Sequence, residues 1–173
     1  MPEMFTAYDW QSRVGSGTGI WVSVQRQQLI LIDDFQIVKH YPCSTAAAGT
    51  GCQMDSGKTP LGWHKVGQKI GDELPAGAVL KDRIWTKEVW SYGQTTDGDL
   101  ILSRILWLEG LEPGYNRGGN VDSHNRYIYI HGTNQIKTLG KAASAGCIRL
   151  DPQTIIDLYE RVDVGCPVLI TSD

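Results

Sequence analysis

Ile20-Trp-Val-Ser-Val24, Gln28-Leu-Ile-Leu-Ile32 and Gln36-Ile-Val-Lys-His-Tyr41 decide the fold. The first run alternates as a half-buried strand does, and the next two are as rich in strand-forming residues. Asp33-Asp34 is a turn signal between the second and third. Together they read as an antiparallel meander with short turns.

Outward from the meander, Ser44 to Thr59 is a polar stretch of Ala, Gly, Ser and Thr. It closes in Thr59-Pro60-Leu61-Gly62 and runs into a strand over Trp63–Val66. From Gly67 to Gly98 glycine, proline and charge break any period. Asp99 to Leu108 reads as a strand, Glu112 to Asn125 as a loop of Pro-Gly and Gly-Gly-Asn turn chemistry, and Arg126 to Ile130 as a strand. One helix stands out, with Asp151 as N-cap and Pro152 at the first position. Ile155, Tyr159 and Val162 share its apolar face. Val164-Gly165 ends it, and Cys166 to Thr171 is the last strand. There is no repeat, low-complexity segment or linker. The expected product is a single mostly β domain over residues 1–173, with residues 1–19 as an N-terminal extension and one helix near the C-terminus.

Composition agrees. Glycine is 20 of 173 residues, above the ~7% average, as a turn-rich β chain needs. With 41% hydrophobic and 20% charged residues, disorder and fibrous repeats are excluded. The net charge of −3 gives no nucleic-acid footprint. No apolar run approaches the roughly 18–20 residues of a membrane helix. Met1 to Trp10 lacks a basic start, an apolar core and a small-residue cleavage site, so it is not a secretory signal. That favours the cytoplasm; export with the signal removed from the chain, to the periplasm, is the alternative. Cys43, Cys52, Cys147 and Cys166 show no CxxC spacing, and no metal site or cofactor is expected. Cys43 and Cys52 flank one loop; they bridge in an oxidising compartment and are free thiols in a reducing one.

Tyr127 to Leu150 carries the chemistry. His131 ends a strand, and Cys147 follows sixteen residues later behind Gly146. A thiol attacks as thiolate, and an imidazole can take its proton. The Gly132 carbonyl is placed to hold the other ring nitrogen and fix the tautomer. N–H groups around Ala145, Gly146 and Cys147 are candidates for an oxyanion hole. The bland alternative makes Cys147 a small buried hydrophobe. His40, His64 and His124 read as surface or core residues, with His124 near enough in sequence to line the cleft. The six tryptophans read first as packing.

His131-Gly132-Thr133-Asn134, then Gly140, then Ser144-Ala145-Gly146-Cys147-Ile148-Arg149-Leu150 resembles the signature of the L,D-transpeptidase catalytic domain, or YkuD, family. Ala145 replaces the family's commoner histidine at a position that is not the base. The opening hairpin, Ser44-Thr45, Thr59-Pro60-Leu61-Gly62 and Val164-Gly165 follow the family's course from residue 20 onward. The resemblance implies a β-sandwich of two sheets with the site under a loop. It implies acyl transfer on the peptide stem of peptidoglycan. The thiolate of Cys147 attacks the third residue's carbonyl, the fourth D-residue leaves, and a thioester is resolved by amine or water. Ser144 and Arg149 are implied as substrate-binding or pocket-shaping groups, Arg149 either with a substrate carboxylate or in a structural ion pair. A muropeptide tetrapeptide is the implied substrate, and carbapenem-type β-lactams are implied covalent inhibitors. With no signal, the branch most resembled is the L,D-carboxypeptidase of murein recycling; an exported transpeptidase is the alternative.

Overall fold

The three opening runs fold as their alternation requires. In the structure, a computed structural model that describes residues 3–173, they are β1 (Thr18–Ser23), β2 (Gln28–Asp33) and β3 (Gln36–Pro42). They pair antiparallel in order, with Ile20 opposite Leu31 and Leu29 opposite Tyr41. The outer edge of β1 takes the chain's last strand, β10 (Pro167–Thr171), in parallel. β10 then pairs with β4 (Gly62–Ile70), and β4 with β7 (Ile101–Gly110).

β7 is the junction of the sheet. It also pairs with β5 (Ala78–Lys81), the first arm of a hairpin completed by β6 (Ile84–Val89). It pairs as well with β8 (Tyr129–Gly132), which carries the short parallel strand β9 (Ile148–Leu150). A register shift between Leu102 and Ile105, with Ser103 at φ 74°, bends β7 where these partners meet. The fold is mostly β with a helix near the C-terminus. The two sheets implied by the resemblance are hydrogen-bonded into one: all ten strands form one sheet, joined through β4 and β7.

Alternation assigns each face of that sheet. Ile20, Val22, Leu29, Val168 and Ile170 face a core shared with Leu106, Ile130, Ile148 and Leu150. Over this core lies α3 (Thr154–Arg161), whose Ile155, Leu158 and Tyr159 are buried. Each such fully buried aliphatic side chain contributes about 1.5–3 kcal/mol. Asp151 caps this segment as expected, its Oδ1 accepting from the Gln153 and Thr154 N–H groups at 2.7 and 3.3 Å, while the regular helix begins at Thr154.

Trp21, Ile30, Ile32, Trp63 and Leu169 face the opposite way and are covered by Trp10. The segment set apart as an extension is therefore part of the packing from Tyr8 onward. It holds two short helices, α1 (Glu3–Ala7) and α2 (Trp10–Arg13). The Tyr8 carbonyl accepts from the Trp63 indole at 3.0 Å. Met1 and Pro2 lie outside the described residues.

Most boundaries shift by a few residues, and two segments differ more. Gly67–Gly98, which shows no sequence period, contains the rest of β4 and the whole β5–β6 hairpin. The run Arg126–Ile130 is strand only from Tyr129 on. Tyr127 turns at φ 56°, with its N–H on the His124 carbonyl at 3.0 Å, so apolar alternation there imitates a strand through a turn.

Candidate active site

The pairing of β8 with β9 builds the site. Ile130 lies opposite Ile148 and His131 opposite Arg149. Side chains alternate, so Ile130, Ile148 and Leu150 enter the core while His131 and Arg149 point the other way. Cys147, two residues before Arg149, joins the His131 face. The turn at Tyr127 then brings backbone to the sulfur. Sγ accepts from the Tyr129 N–H at 3.4 Å and lies 3.4 Å from the Tyr127 carbonyl.

His131 is 3% exposed. Its Nδ1 lies 2.7 Å from the Gly132 carbonyl, which makes Nδ1 the donor and leaves the Nε2 lone pair as the basic site. The carbonyl expected from the sequence to fix the tautomer is the one found there. Burial lowers the imidazole pKa below its ordinary 6.5, against the Gly132 hydrogen bond and the Asp99 carboxylate, which raise it. Burial pushes the Cys147 thiol up to about 11, against the Tyr129 N–H, which lowers it. At neutral pH both groups rest uncharged, so the proton must move during attack. Protonating His131 removes the base. The acid limb of kcat/KM is expected below pH 6.5, and Cys147 alkylation without substrate should keep rising towards pH 11. A pH–rate profile with its acid limb above 7 contradicts this.

The loop before Cys147 is braced from two sides. Gly146 sits at φ 137°, where an L side chain is strained. The Ser144 hydroxyl donates to the Cys147 carbonyl at 2.6 Å and accepts from the Gly146 N–H at 3.2 Å. Thr59 Oγ1 donates to the Gly146 carbonyl at 2.9 Å while accepting from the Ala46 N–H. The polar stretch after Ser44 is thus the scaffold of the nucleophile loop. The oxyanion expectation narrows, because the Gly146 N–H is turned onto Ser144; Ala145 and Cys147 are left as candidate donors. Ser144 acts on the loop itself.

Arg149 is corrected towards its structural alternative. Only 2% of it is exposed. Its guanidinium meets Asp99 Oδ2 at 2.9 Å, Ser44 Oγ at 2.9 Å and Thr138 Oγ1 at 2.8 Å. A group so engaged has little to offer a substrate carboxylate. Asp99 also accepts from Thr133 Oγ1 at 2.8 Å, and Asn134 Oδ1 accepts from the Leu100 N–H at 2.8 Å. Thr133, Asn134 and Asp97-Gly98-Asp99 therefore form one ordered turn under the site.

Two features lie beside Cys147, of which the sequence reading gives only His124 as a residue near the cleft. One is a cleft of about 430 Å³ with Cys147, Gly146, Ala145, Tyr127, Arg126 and Asp55 on its wall. Arg126 holds its far side by donating to the Gly51 and Lys58 carbonyls at 3.2 and 2.6 Å. The other is an aromatic shelf. Trp107 touches Tyr127 and Tyr129, with ring centroids 5.7 and 5.6 Å away, and His124 stacks on it at 4.2 Å. Arg83 lies over Trp107 and Tyr127 and donates to the Tyr129 hydroxyl at 3.1 Å. The alternating Ile84-Trp85-Thr86 was the available signal for this hairpin. The exposure of β6 left little apolar pattern to read.

The other expected residues fall into supporting places. His64 is buried between the Gly62 carbonyl and Ser123 Oγ, and His40 pairs with Gln28 on the surface. Trp10, Trp21, Trp63 and Trp90 are buried, in keeping with packing. All four cysteines are free thiols.

The L,D-transpeptidase catalytic domain (YkuD) family model matches residues 17–170. "Putative L,D-transpeptidase YqjB" of Bacillus subtilis is 46% identical over 48 residues, 28% of this chain and 27% of that protein. L,D-transpeptidase 3 of Mycobacterium tuberculosis, solved with a faropenem-derived adduct, superposes at a TM-score of 0.56 with 17% identity, over 91% of this chain and 61% of that one. LdtMt1 in complex with imipenem superposes at 0.54 with 16% identity, over 91% and 60%. The chain therefore spans about three-fifths of these solved structures.

Proposed function

The chain belongs to the L,D-transpeptidase catalytic domain family, and on that footing we propose that it is a thiol-dependent L,D-carboxypeptidase that removes terminal D-alanine from peptidoglycan tetrapeptides. Cys147 is the nucleophile and His131 the base. Sγ attacks the carbonyl of the third residue while its proton passes to Nε2. The Ala145 and Cys147 N–H groups receive the developing oxyanion. The imidazolium protonates the departing amine, D-alanine leaves, and a thioester remains. Water, deprotonated by the same Nε2, opens it and restores the thiol.

The observation that carries water as acceptor is the shape around Cys147. One flank opens on the 430 Å³ cleft. The other packs against Leu80, Ile105 and Tyr129, with Leu80 supplied by the β5–β6 hairpin. A cleft within the roughly 300–1,000 Å³ range of small-molecule sites suits one peptide stem. The packed flank favours a small acceptor such as water over a second stem. Cytoplasmic murein recycling goes with this reading, and cell fractionation tests it. The second reading, transfer to an amine, is favoured by the relatives, which are named as transpeptidases.

Mass spectrometry of tetrapeptide incubated with the enzyme separates the two. Tripeptide and free D-alanine are expected as main products, even with a millimolar D-amino acid present. Exchanged or cross-linked peptide as main product replaces the carboxypeptidase with the transpeptidase.

A further inference from the structure

Hydrolysis of one C-terminal residue needs a group that recognises the free carboxylate beyond the scissile bond. Arg149 is enclosed in its own network, and Arg126 is bound to backbone carbonyls. Arg83 is a cation on the aromatic shelf, over the ring of Tyr127, which also lines the cleft. It is half-buried there. Of the five N–H donors a guanidinium carries, one is bonded to Tyr129. Among the described residues no carboxylate lies within ion-pair distance of Arg83. Tyr129 links it to the chemistry, since the N–H of this residue is on the Cys147 sulfur and its hydroxyl is on Arg83.

The backbone supplies an independent observation. Asp82 and Arg83 form the two-residue turn between β5 and β6, at φ 48° and 66°. Such turns favour glycine at the second position, where any side chain is strained. A long cationic side chain is held there nonetheless. Backbone strain of this kind concentrates at ligand clamps. In the β2–β3 hairpin the second turn residue is Phe35, at φ 59°, and it packs against the apolar cluster of Trp21 and Ile32. Arg83 instead covers the rings beside the nucleophile.

We propose that Arg83, resting on Trp107 and Tyr127, binds the terminal carboxylate of the leaving residue and so selects peptides with a single residue after the scissile bond. This rests on the carboxypeptidase reading and names the group that sets its substrate class. That carboxylate lies within one extended residue, about 3.3–3.6 Å, of the attacked carbonyl. A planar guanidinium suits it as a two-pronged donor.

The test uses an alkylating pair that needs no turnover: N-iodoacetyl-D-alanine and its carboxamide. The Cys147 sulfur forms a bond to the methylene, the carbon–iodine bond breaks, iodide leaves, and the thiol proton goes to His131. The rate at the Cys147 peptide is read by mass spectrometry for both reagents. The wild-type protein is expected to react at least about tenfold faster with the acid than with the amide. Arg83→Gln should bring that ratio near one, and Arg83→Lys should retain part of it. Arg83→Gly suits the turn better, so it should melt no lower than wild type and still lose the preference. A bracing role through Tyr129 would slow both reagents equally and leave the ratio unchanged. An unchanged ratio in Arg83→Gln overturns the proposal. A ratio that follows Arg83 in a protein that releases no D-alanine supports the proposal and removes only the hydrolytic reading.

Discussion

Cys147→Ala is expected to lower turnover of tetrapeptide by at least about 10³-fold, because the thioester forms on this sulfur beside His131. The fold should survive. The sulfur stands at the edge of the cluster of Leu80, Ile105 and Tyr129, with its outer flank on the cleft. Removing it costs about 1 kcal/mol, or about 2–4 °C in Tm for a chain of this size. Cys43 and Cys166 make the comparison clean. Both are buried, and burial pushes both thiols up to about 12. Their alanine variants should melt lower and keep their activity. Near wild-type turnover in Cys147→Ala removes this residue from the mechanism.

Arg149→Ala should be the most damaging substitution to stability. It strips Asp99 of its ion pair and leaves the Ser44 and Thr138 hydroxyls facing a void. Breaking a buried pair by removing one partner costs about 3–5 kcal/mol. Asp99 is 37% exposed, and water screens part of that loss, so about 3 kcal/mol and a fall in Tm of roughly 10 °C are expected. Arg149→Lys should recover little, since one ammonium cannot reach all three partners in a fixed plane. Turnover and Cys147 labelling should fall together, because Arg149 exchanges both backbone hydrogen bonds with Ser44 beside the nucleophile loop. A variant that melts like wild type and shows only a raised KM would place Arg149 against substrate instead.

The contrast between His131 and Arg149 shows what the sequence made legible. Each residue's role could be listed from the sequence, but their common face comes from the β8–β9 register, in which His131 lies opposite Arg149. Their different employment is set elsewhere in the fold. Asp99, Ser44 and Thr138 reach Arg149 from three distant segments, and only the sheet's closure through β7 brings them there. The Gly132 carbonyl was legible because it is local to His131. The Gly146 N–H was misread because its partner, the Ser144 hydroxyl two residues away, competes with the oxyanion for the same hydrogen. Local side-chain bonds of this kind are open to serine in any tight loop.

The meander and the C-terminal helix were legible for the same reason: period, turn and cap agree within a few residues. The β5–β6 hairpin was not, because its strands are short and largely exposed, with little apolar alternation to set against the glycine, proline and charge around them. Tyr127 misled in the opposite direction. Its apolar neighbours continue a strand pattern through a turn whose conformation is set by Asp122, Ser123 and His124 carbonyls. At both places local preference yields to the site. The turn at Tyr127 delivers a backbone carbonyl to Sγ, and the turn at Arg83 delivers a guanidinium to the shelf.

Acylation of Cys147 is the central claim, and intact-protein mass spectrometry of rapidly quenched enzyme tests it directly. Mixed with imipenem, the protein should gain the mass of one acyl group, and digestion should place it on the peptide carrying Cys147. Cys147→Ala should gain nothing. With tetrapeptide, a transient tripeptidyl adduct should appear on the same peptide as D-alanine is released. An adduct on Cys52, or D-alanine release with Cys147 unmodified throughout, would contradict the account.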